Sequence, residues 1–257
     1  MNAGRDTATM QEVADQFGVA AEQVRRDHLI SHILSALSRE LPEQVIFFGG
    51  TALARTHLPA GRLSEDIDLI AVGERTPTAA SIERVLATAL RRSHGRIQWA
   101  PALSAVRDTQ PAVLMTGDRE LAVRIQLLSR IGYEPWPTEQ RAIVQRYADV
   151  TPASLRVPTL DAFVAWKTAA WQDRAAPRDL YDLWALSRIG AMNATSAALF
   201  ARHGPTGSVP RPWTFTTAPT EQRWREQLAN QTTLRITAAE ALQAVRAAWA
   251  SAIVDSD

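Results

Sequence analysis

Apolar residues recur at helical spacing in two early segments. Along Ala20–Leu41, Val24, Leu29, Ile33, Leu34 and Leu37 share one face, and along Ala79–Arg92, Ile82, Val85, Leu86 and Leu90 do the same. Both are predicted as amphipathic helices, and a shorter one, Thr9–Phe17, stops at Gly18. Elsewhere in the first 158 residues the period is two. Strands are expected at 44–48, through Asp66 and Asp68 to about Val72, at Arg96–Trp99, Ala112–Thr116 and Leu121–Leu128, with a Gly117-Asp118 turn before the last. Arg141–Tyr147 and Leu155–Val157 read as short edge strands. Beyond Thr159 the texture is helical. Thr159 caps a helix to about Arg174, Pro177 suits the first turn of the next, Gly190 ends it, and Asn193 caps a third that Gly204 ends. A Pro-, Gly- and Thr-rich loop, 204–219, leads to helical stretches 220–230 and 237–253. The pattern predicts an α+β chain: a mixed α/β half, residues 1–158 with the N-terminal helices, then a helical half, 159–257.

The most informative stretch is 45–69. An apolar strand, Val45-Ile-Phe-Phe, runs into Gly49-Gly50-Thr51 and a short helix, and a second strand carries Asp66-Ile-Asp-Leu69. Residues i and i+2 of a strand face the same way, so Asp66 and Asp68 project together with Cα atoms about 6–7 Å apart. Two adjacent carboxylates repel unless a cation lies between them, and Mg²⁺ or Mn²⁺ suits an all-oxygen pair. Gly49 and Gly50 permit close backbone approach, and the N–H groups opening the next helix favour an anion such as a nucleotide phosphate. A metal pair beside a phosphate cradle is what nucleotidyl transfer requires. The bland alternative is a tight turn with two solvated aspartates at a strand end.

Composition sharpens this picture in two places. Net charge is only +1, yet Arg84–Arg146 holds ten arginines against Asp108, Asp118, Glu120, Glu134 and Glu139. That local excess suits an RNA or nucleotide backbone, or an ordinary solvated surface. Of 28 basic residues, only Lys167 is lysine. A lone ammonium in an arginine-biased chain suggests a position where a guanidinium will not serve. No cysteine occurs, which excludes disulfides and thiol chemistry. With no basic-then-apolar leader and no apolar run near 18 residues, a soluble cytoplasmic protein without membrane contact is expected.

Lys167 opens a second constellation. Lys167 and Arg174 are seven apart on one helix face, and Arg178 and Asp182 are four apart on the next. A tight corner would bring Lys167 near Asp182, either as ion pairs bracing that corner or as a phosphate-gripping cation with a carboxylate for an attacking hydroxyl. His28 and His32 are also four apart on a helix, but with no third ligand in view they read as a surface pair. Ser64 falls two before Asp66, on the same strand face, where phosphorylation would set about −2 charge against the carboxylates and act as an off-switch.

Taken together, Asp27-His28, Phe48-Gly-Gly-Thr-Ala-Leu53, Arg62-Leu-Ser-Glu-Asp-Ile-Asp-Leu69, Lys167 and Arg178-Asp-Leu-Tyr-Asp-Leu183 resemble the AbiEii/AbiGii toxin family of nucleotidyltransferases, which includes the MenT-type toxins. The resemblance covers residues 27–183 and implies a polymerase-β-like core followed by helices. It implies Asp66 and Asp68 as metal ligands, Lys167 as the cation for the nucleotide phosphates and Asp182 as a later essential aspartate, with the helical half contributing both. Gly49, Gly50, Thr51, Lys167 and Arg174 are the expected nucleotide-binding residues. Some members transfer nucleotides from NTPs to the 3′ end of tRNA, arresting translation, and are paired with an antitoxin. One departure concerns a third carboxylate on a later strand: if Arg124-Ile-Gln126 is that strand, the position holds a neutral Gln126. Other functions compatible with the residues are nucleotidyl transfer to a protein hydroxyl and a non-catalytic nucleotide- or RNA-binding module.

Overall fold

The fold is that of a computed structural model, which describes residues 3–131 and 135–254. The chain divides into two compact units, residues 1–133 with 139–157, and residues 134–138 with 158–257. The first unit contains helices α1 (Ala3–Phe17), α2 (Ala21–Glu40), α3 (Gly49–Thr56) and α4 (Arg75–Ala89). Its strands are β1 (Val45–Phe48), β2 (Asp66–Ala71), β3 (Ile97–Trp99), β4 (Ala112–Thr116), β5 (Ala122–Leu128), β6 (Thr138–Ile143) and β7 (Ala153–Pro158). They form one mixed sheet in the order β3-β4-β5-β2-β1-β7-β6. β2 is antiparallel to β1 and parallel to β5, and β1 is parallel to β7.

The period-two pattern sets the faces of this sheet. Ile67 and Leu69 of β2 and Val123, Ile125 and Leu127 of β5 are fully buried, as are Ile82 and Leu86 of α4. Asp66, Asp68 and Gln126 alternate onto the opposite face and stay partly exposed. α2 packs against α4 and β5, and its Leu29, Ile33, Leu34 and Leu37 are fully buried. A satellite cluster of Val13, Phe17, Val24, Leu63, Tyr147 and Val150 seats α1.

Four sequence expectations are corrected here. α4 starts at Arg75, four residues before the predicted Ala79. Pro77 lies in its first turn, where no N–H has an intrahelical partner, so proline is tolerated. β6 spans Thr138–Ile143 instead of Arg141–Tyr147, and β7 lies between β1 and β6 instead of at an edge. The His28–His32 pair is not a surface pair: His28 is buried, His32 is half-buried, and Asp149 meets both.

The second unit contains helices α5 (Leu160–Arg174), α6 (Pro177–Arg188), α7 (Ala194–His203), α8 (Glu221–Leu228) and α9 (Ala238–Val254). Thr159 caps α5 by accepting the Ala162 N–H, and Asn193 and Ser196 form a reciprocal capping box on α7. Two residues, Ala175 and Ala176, join α5 to α6, and Ala175 takes a left-handed conformation at φ 44°. Trp171 and Trp224 are buried, with their indole N–H groups donating to Thr214 O and Ile236 O. Among the described residues no helix is long and apolar enough to cross a membrane.

Candidate active site

β1 delivers the chain to Gly49, whose φ of +78° few residues besides glycine adopt readily. Phe48 pairs with Asp68 across the antiparallel β1–β2 ladder, which brings the Asp68 carboxylate over the turn. A Cβ added at Gly49 would overlap Asp68 Oδ2 and lie 2.9 Å from its Cγ. A Cβ at Gly50 would lie 2.8 Å from the Arg62 guanidinium and 3.4 Å from Ser64 Oγ. Both glycines therefore make room first for this chain's own side chains. Thr51, almost fully buried, donates its hydroxyl to the Asp66 carbonyl and so ties the start of α3 to the start of β2. Phe48, at the N-cap of α3, makes no side-chain cap, so the N–H groups of the first turn retain the partial positive character of a helix start.

Ser64 is not on the strand face expected for it. β2 begins at Asp66, and Ser64 sits in the segment before it, 8% exposed with its Oγ near Gly50. Phosphorylation there requires that segment to open first.

α3 is anchored by a buried charge network that sequence reasoning missed. Arg55 of α3 pairs with Asp27 of α2 at 2.8 Å and donates to Asp27 O and Val144 O. Tyr147 donates its hydroxyl to Asp27 Oδ2 at 2.8 Å, and Arg146 approaches the other oxygen at 3.7 Å. Burial, then the neighbouring Arg55, lowers the Arg146 pKa to about 10. Asp27 stood out in the sequence only as part of the Asp27-His28 pair, and Arg55 not at all.

The parallel neighbour of β2 places no carboxylate beside Asp66 or Asp68. Asp66 aligns with Arg124 and Asp68 with Gln126 on the parallel neighbour. Gln126 donates to Asp108 O at 3.3 Å, and the Arg124 guanidinium lies 3.5 Å from Asp66 Oδ1. A cavity of about 380 Å³ opens beside Asp66, lined by Arg26, Glu65, Asp66, Val113, Ala122 and Arg124. A hard divalent cation fits this donor set: Asp66 and Asp68 offer carboxylate oxygens from one strand face, and the missing third carboxylate leaves coordination positions for water or phosphate oxygens.

Eight of the arginines between 84 and 146 are exposed, at 84, 91, 92, 96, 107, 119, 124 and 130. Arg146 is not available for a polyanion, being held in the Asp27 network, and Glu134 lies outside the described residues.

In the helical unit the α5–α6 corner brings Lys167 and Asp182 together. Lys167 Nζ lies 2.7 Å from Asp182 Oδ2 and 3.0 Å from Asp179 Oδ1. Arg174, expected to bind nucleotide, grips both oxygens of Asp179 at 2.7 and 3.1 Å while most of its side chain stays exposed. Burial pushes the fully buried Asp179 carboxyl up, but the charges and hydrogen bonds of Lys167 and Arg174 prevail and hold it at about 2. Asp179 was missed as a centre of this network, although the Arg178-Asp-Leu-Tyr-Asp run contained it. The arrangement pairs two cations with two carboxylates and braces the corner.

A search of curated proteins finds no match. Among solved structures, MenT4, the nucleotidyltransferase toxin Rv2826c from Mycobacterium tuberculosis H37Rv, superposes with a TM-score of 0.65 at 21% identity, over 93% of this chain and 86% of that one. JHP933 from Helicobacter pylori superposes with a TM-score of 0.57 at 14% identity, over 93% and 94%. At such identities the likeness establishes the fold, a mixed α+β nucleotidyltransferase architecture consistent with a polymerase-β-like core. The family model for the nucleotidyl transferase AbiEii toxin, a type IV toxin–antitoxin system, matches residues 32–255. That match spans both units, and on it the chain belongs to the AbiEii family of nucleotidyltransferase toxins.

Proposed function

We propose that the chain transfers nucleotides from an NTP to the 3′ end of tRNA in a divalent-metal-dependent reaction, blocking translation, and that a cognate antitoxin restrains it. The observation that carries the reading is the Asp66/Asp68 face of β2, with Asp68 folded against Gly49 at the start of α3. Asp66 and Asp68 hold the metal, which when bound neutralises phosphate charge and favours ionisation of the attacking hydroxyl. The first-turn N–H groups of α3, at Gly50 and Thr51, face the phosphates. Gln126 adds no negative charge, so the carboxylate pair is less repulsive to a triphosphate than a triad would be.

Lys167 and Asp182 take the parts of phosphate cation and base. A carboxylate 2.7 Å from an ammonium is a poor base. Drawing Lys167 toward a phosphate oxygen weakens its hold on Asp182, which takes the proton of the 3′-hydroxyl as that oxygen bonds to the α-phosphorus and pyrophosphate leaves. The exposed arginines between 84 and 130 support a tRNA backbone as the polyanion.

The test is incubation of the full chain with each labelled NTP, Mg²⁺ or Mn²⁺, purified tRNA and cell lysate, resolved by gel. Label on intact tRNA, and none on tRNA whose 3′ terminal ribose has been oxidised with periodate, is expected. Label on protein would replace this acceptor with a protein hydroxyl, and no label with any NTP would sink the transferase reading.

A further inference from the structure

We infer that the first unit carries a second metal site, built for Zn²⁺ or a similar borderline transition metal, from His28, His32 and Asp149 with His94 as the fourth ligand. It is separate from the Asp66/Asp68 face in both residues and chemistry.

The sequence hides this site because its parts lie far apart. His28 and His32 are one turn apart on α2, which puts both imidazoles on one face. Asp149 comes from the connection between β6 and β7, and His94 from the connection between α4 and β3. His28 Nε2 lies 2.9 Å from Asp149 Oδ2, His32 Nε2 lies 3.3 Å from the same oxygen, and the two Nε2 atoms are 3.3 Å apart. Three ligand atoms from three side chains thus form a triangle with sides of 2.9, 3.3 and 3.3 Å.

Two explanations meet those distances. Ligands at about 2.0–2.1 Å from a tetrahedral zinc are separated from one another by about 3.3 Å, because the ligand–ligand edge is about 1.6 times the bond length. The triangle therefore has nearly the size of one tetrahedral face. A metal-free pair, in which one imidazole Nε2–H donates to the other ring or to Asp149, has the same contacts, and the titration below decides between them.

The fourth vertex is not formed as the rings stand: His94 lies beside the group of three but outside it, and would turn in to complete the site. The His94 ring lies 5.2 Å from that of His28 and 5.1 Å from that of His32, centroid to centroid. The site is also braced from behind. Tyr147 packs edge-on against His28 at 4.9 Å, and its hydroxyl is fixed by Asp27 Oδ2. The three side chains of the triangle are only 10, 17 and 25% exposed, so an ion there would be largely shielded from water. Imidazole nitrogens with one carboxylate suit Zn²⁺ and disfavour Mg²⁺, the ion suited to Asp66 and Asp68. A metal here would clamp α2 to the β6–β7 and α4–β3 connections, a structural role.

The full chain, stripped with a chelator and dialysed, is titrated with Zn²⁺ against a chromophoric competitor, with Co²⁺ as a spectroscopic substitute. One tight Zn²⁺ per chain, a rise in thermal midpoint and the visible bands of tetrahedral Co²⁺ are expected. His32→Ala and Asp149→Asn should each weaken Zn²⁺ binding at least about 100-fold, since even an outer partner of a ligand is worth 10–100-fold. His94→Ala should change the Co²⁺ spectrum. Asp66→Asn should leave all of these readouts unchanged, and circular dichroism checks that each variant is folded. Absence of stoichiometric Zn²⁺ binding by folded wild type overturns the proposal. So does binding that survives in folded His32→Ala and Asp149→Asn, or binding that Asp66→Asn abolishes.

Discussion

Asp179→Asn separates bracing from chemistry at the α5–α6 corner. The carboxylate is fully buried and accepts three charge-assisted hydrogen bonds, from Lys167 at 3.0 Å and from Arg174 at 2.7 and 3.1 Å. Asparagine keeps the shape but turns one acceptor into an NH₂ group facing those donors, and leaves Lys167 with Asp182 as its remaining partner in this network. Removing one member of a buried pair costs about 3–5 kcal/mol, and Arg174 can relieve part of this by turning to solvent, so about 3 kcal/mol is expected. The pKa leads to a similar figure: a carboxyl lowered from 3.8 to about 2 corresponds to about 2–3 kcal/mol. The sign follows from the depressed value. Unfolded chains bind the proton more readily, so this stability is present above about pH 4 and is lost as pH falls towards about 2. Urea denaturation of wild type and variant from pH 7 downward reads both effects. The variant should be less stable at neutral pH, and the gap should close as the medium is acidified through that window. Equal stability at pH 7, or a gap independent of pH down to about 2, would refute this account of the corner.

Gly49→Ala places a methyl group into Asp68 and forces alanine to φ +78°; about 1–2 kcal/mol from the backbone alone, plus displacement of Asp68, should abolish transfer, whereas Gly73→Ala, with nothing within 4 Å, should be neutral in the same urea and activity assays. Arg55→Met takes the closest cation from Asp27 in the α2–α3 interior, leaving Tyr147 and the more distant Arg146, and should cost about 3 kcal/mol by urea denaturation. Ala175→Gly relieves a left-handed residue and should stabilise the chain by about 0.5–1 kcal/mol, read as a higher denaturation midpoint.

How far the sequence could be read depended on how local each signal was. Thr159, Pro177, Asn193 and Gly204 mark helix ends through their own caps and dihedrals, so α5, α6 and α7 were placed to within a residue or two. β2 and β5 were equally plain, because alternation alone separates Ile67 from Asp68 and Ile125 from Gln126. β6 was misplaced for a physical reason. Its Thr-Glu-Gln-Arg run at the sheet edge has no apolar period, while the apolar Val144 and Tyr147 just beyond it serve other contacts. At the candidate site the carboxylate face and the Lys167–Asp182 contact were legible from spacing. Partners distant in sequence were not: Arg124 beside Asp66, Tyr147 on Asp27 and Asp149 on His28 depend on strand order and loop return. Ser64 was misread because strand periodicity was extended two residues beyond the start of β2.

The proposed role of Asp66 and Asp68 is to hold the metal for nucleotidyl transfer. Its most direct test is the Mg²⁺ or Mn²⁺ dependence of label transfer from NTP to tRNA by wild type, Asp66→Asn and Asp68→Asn, each shown to be folded by circular dichroism. Metal-dependent transfer by wild type, with a loss of about 100-fold or more in each folded variant, is predicted from the charge stabilisation a bound metal supplies. Folded variants that transfer at the wild-type rate, or wild-type transfer undiminished after metal removal, would contradict it.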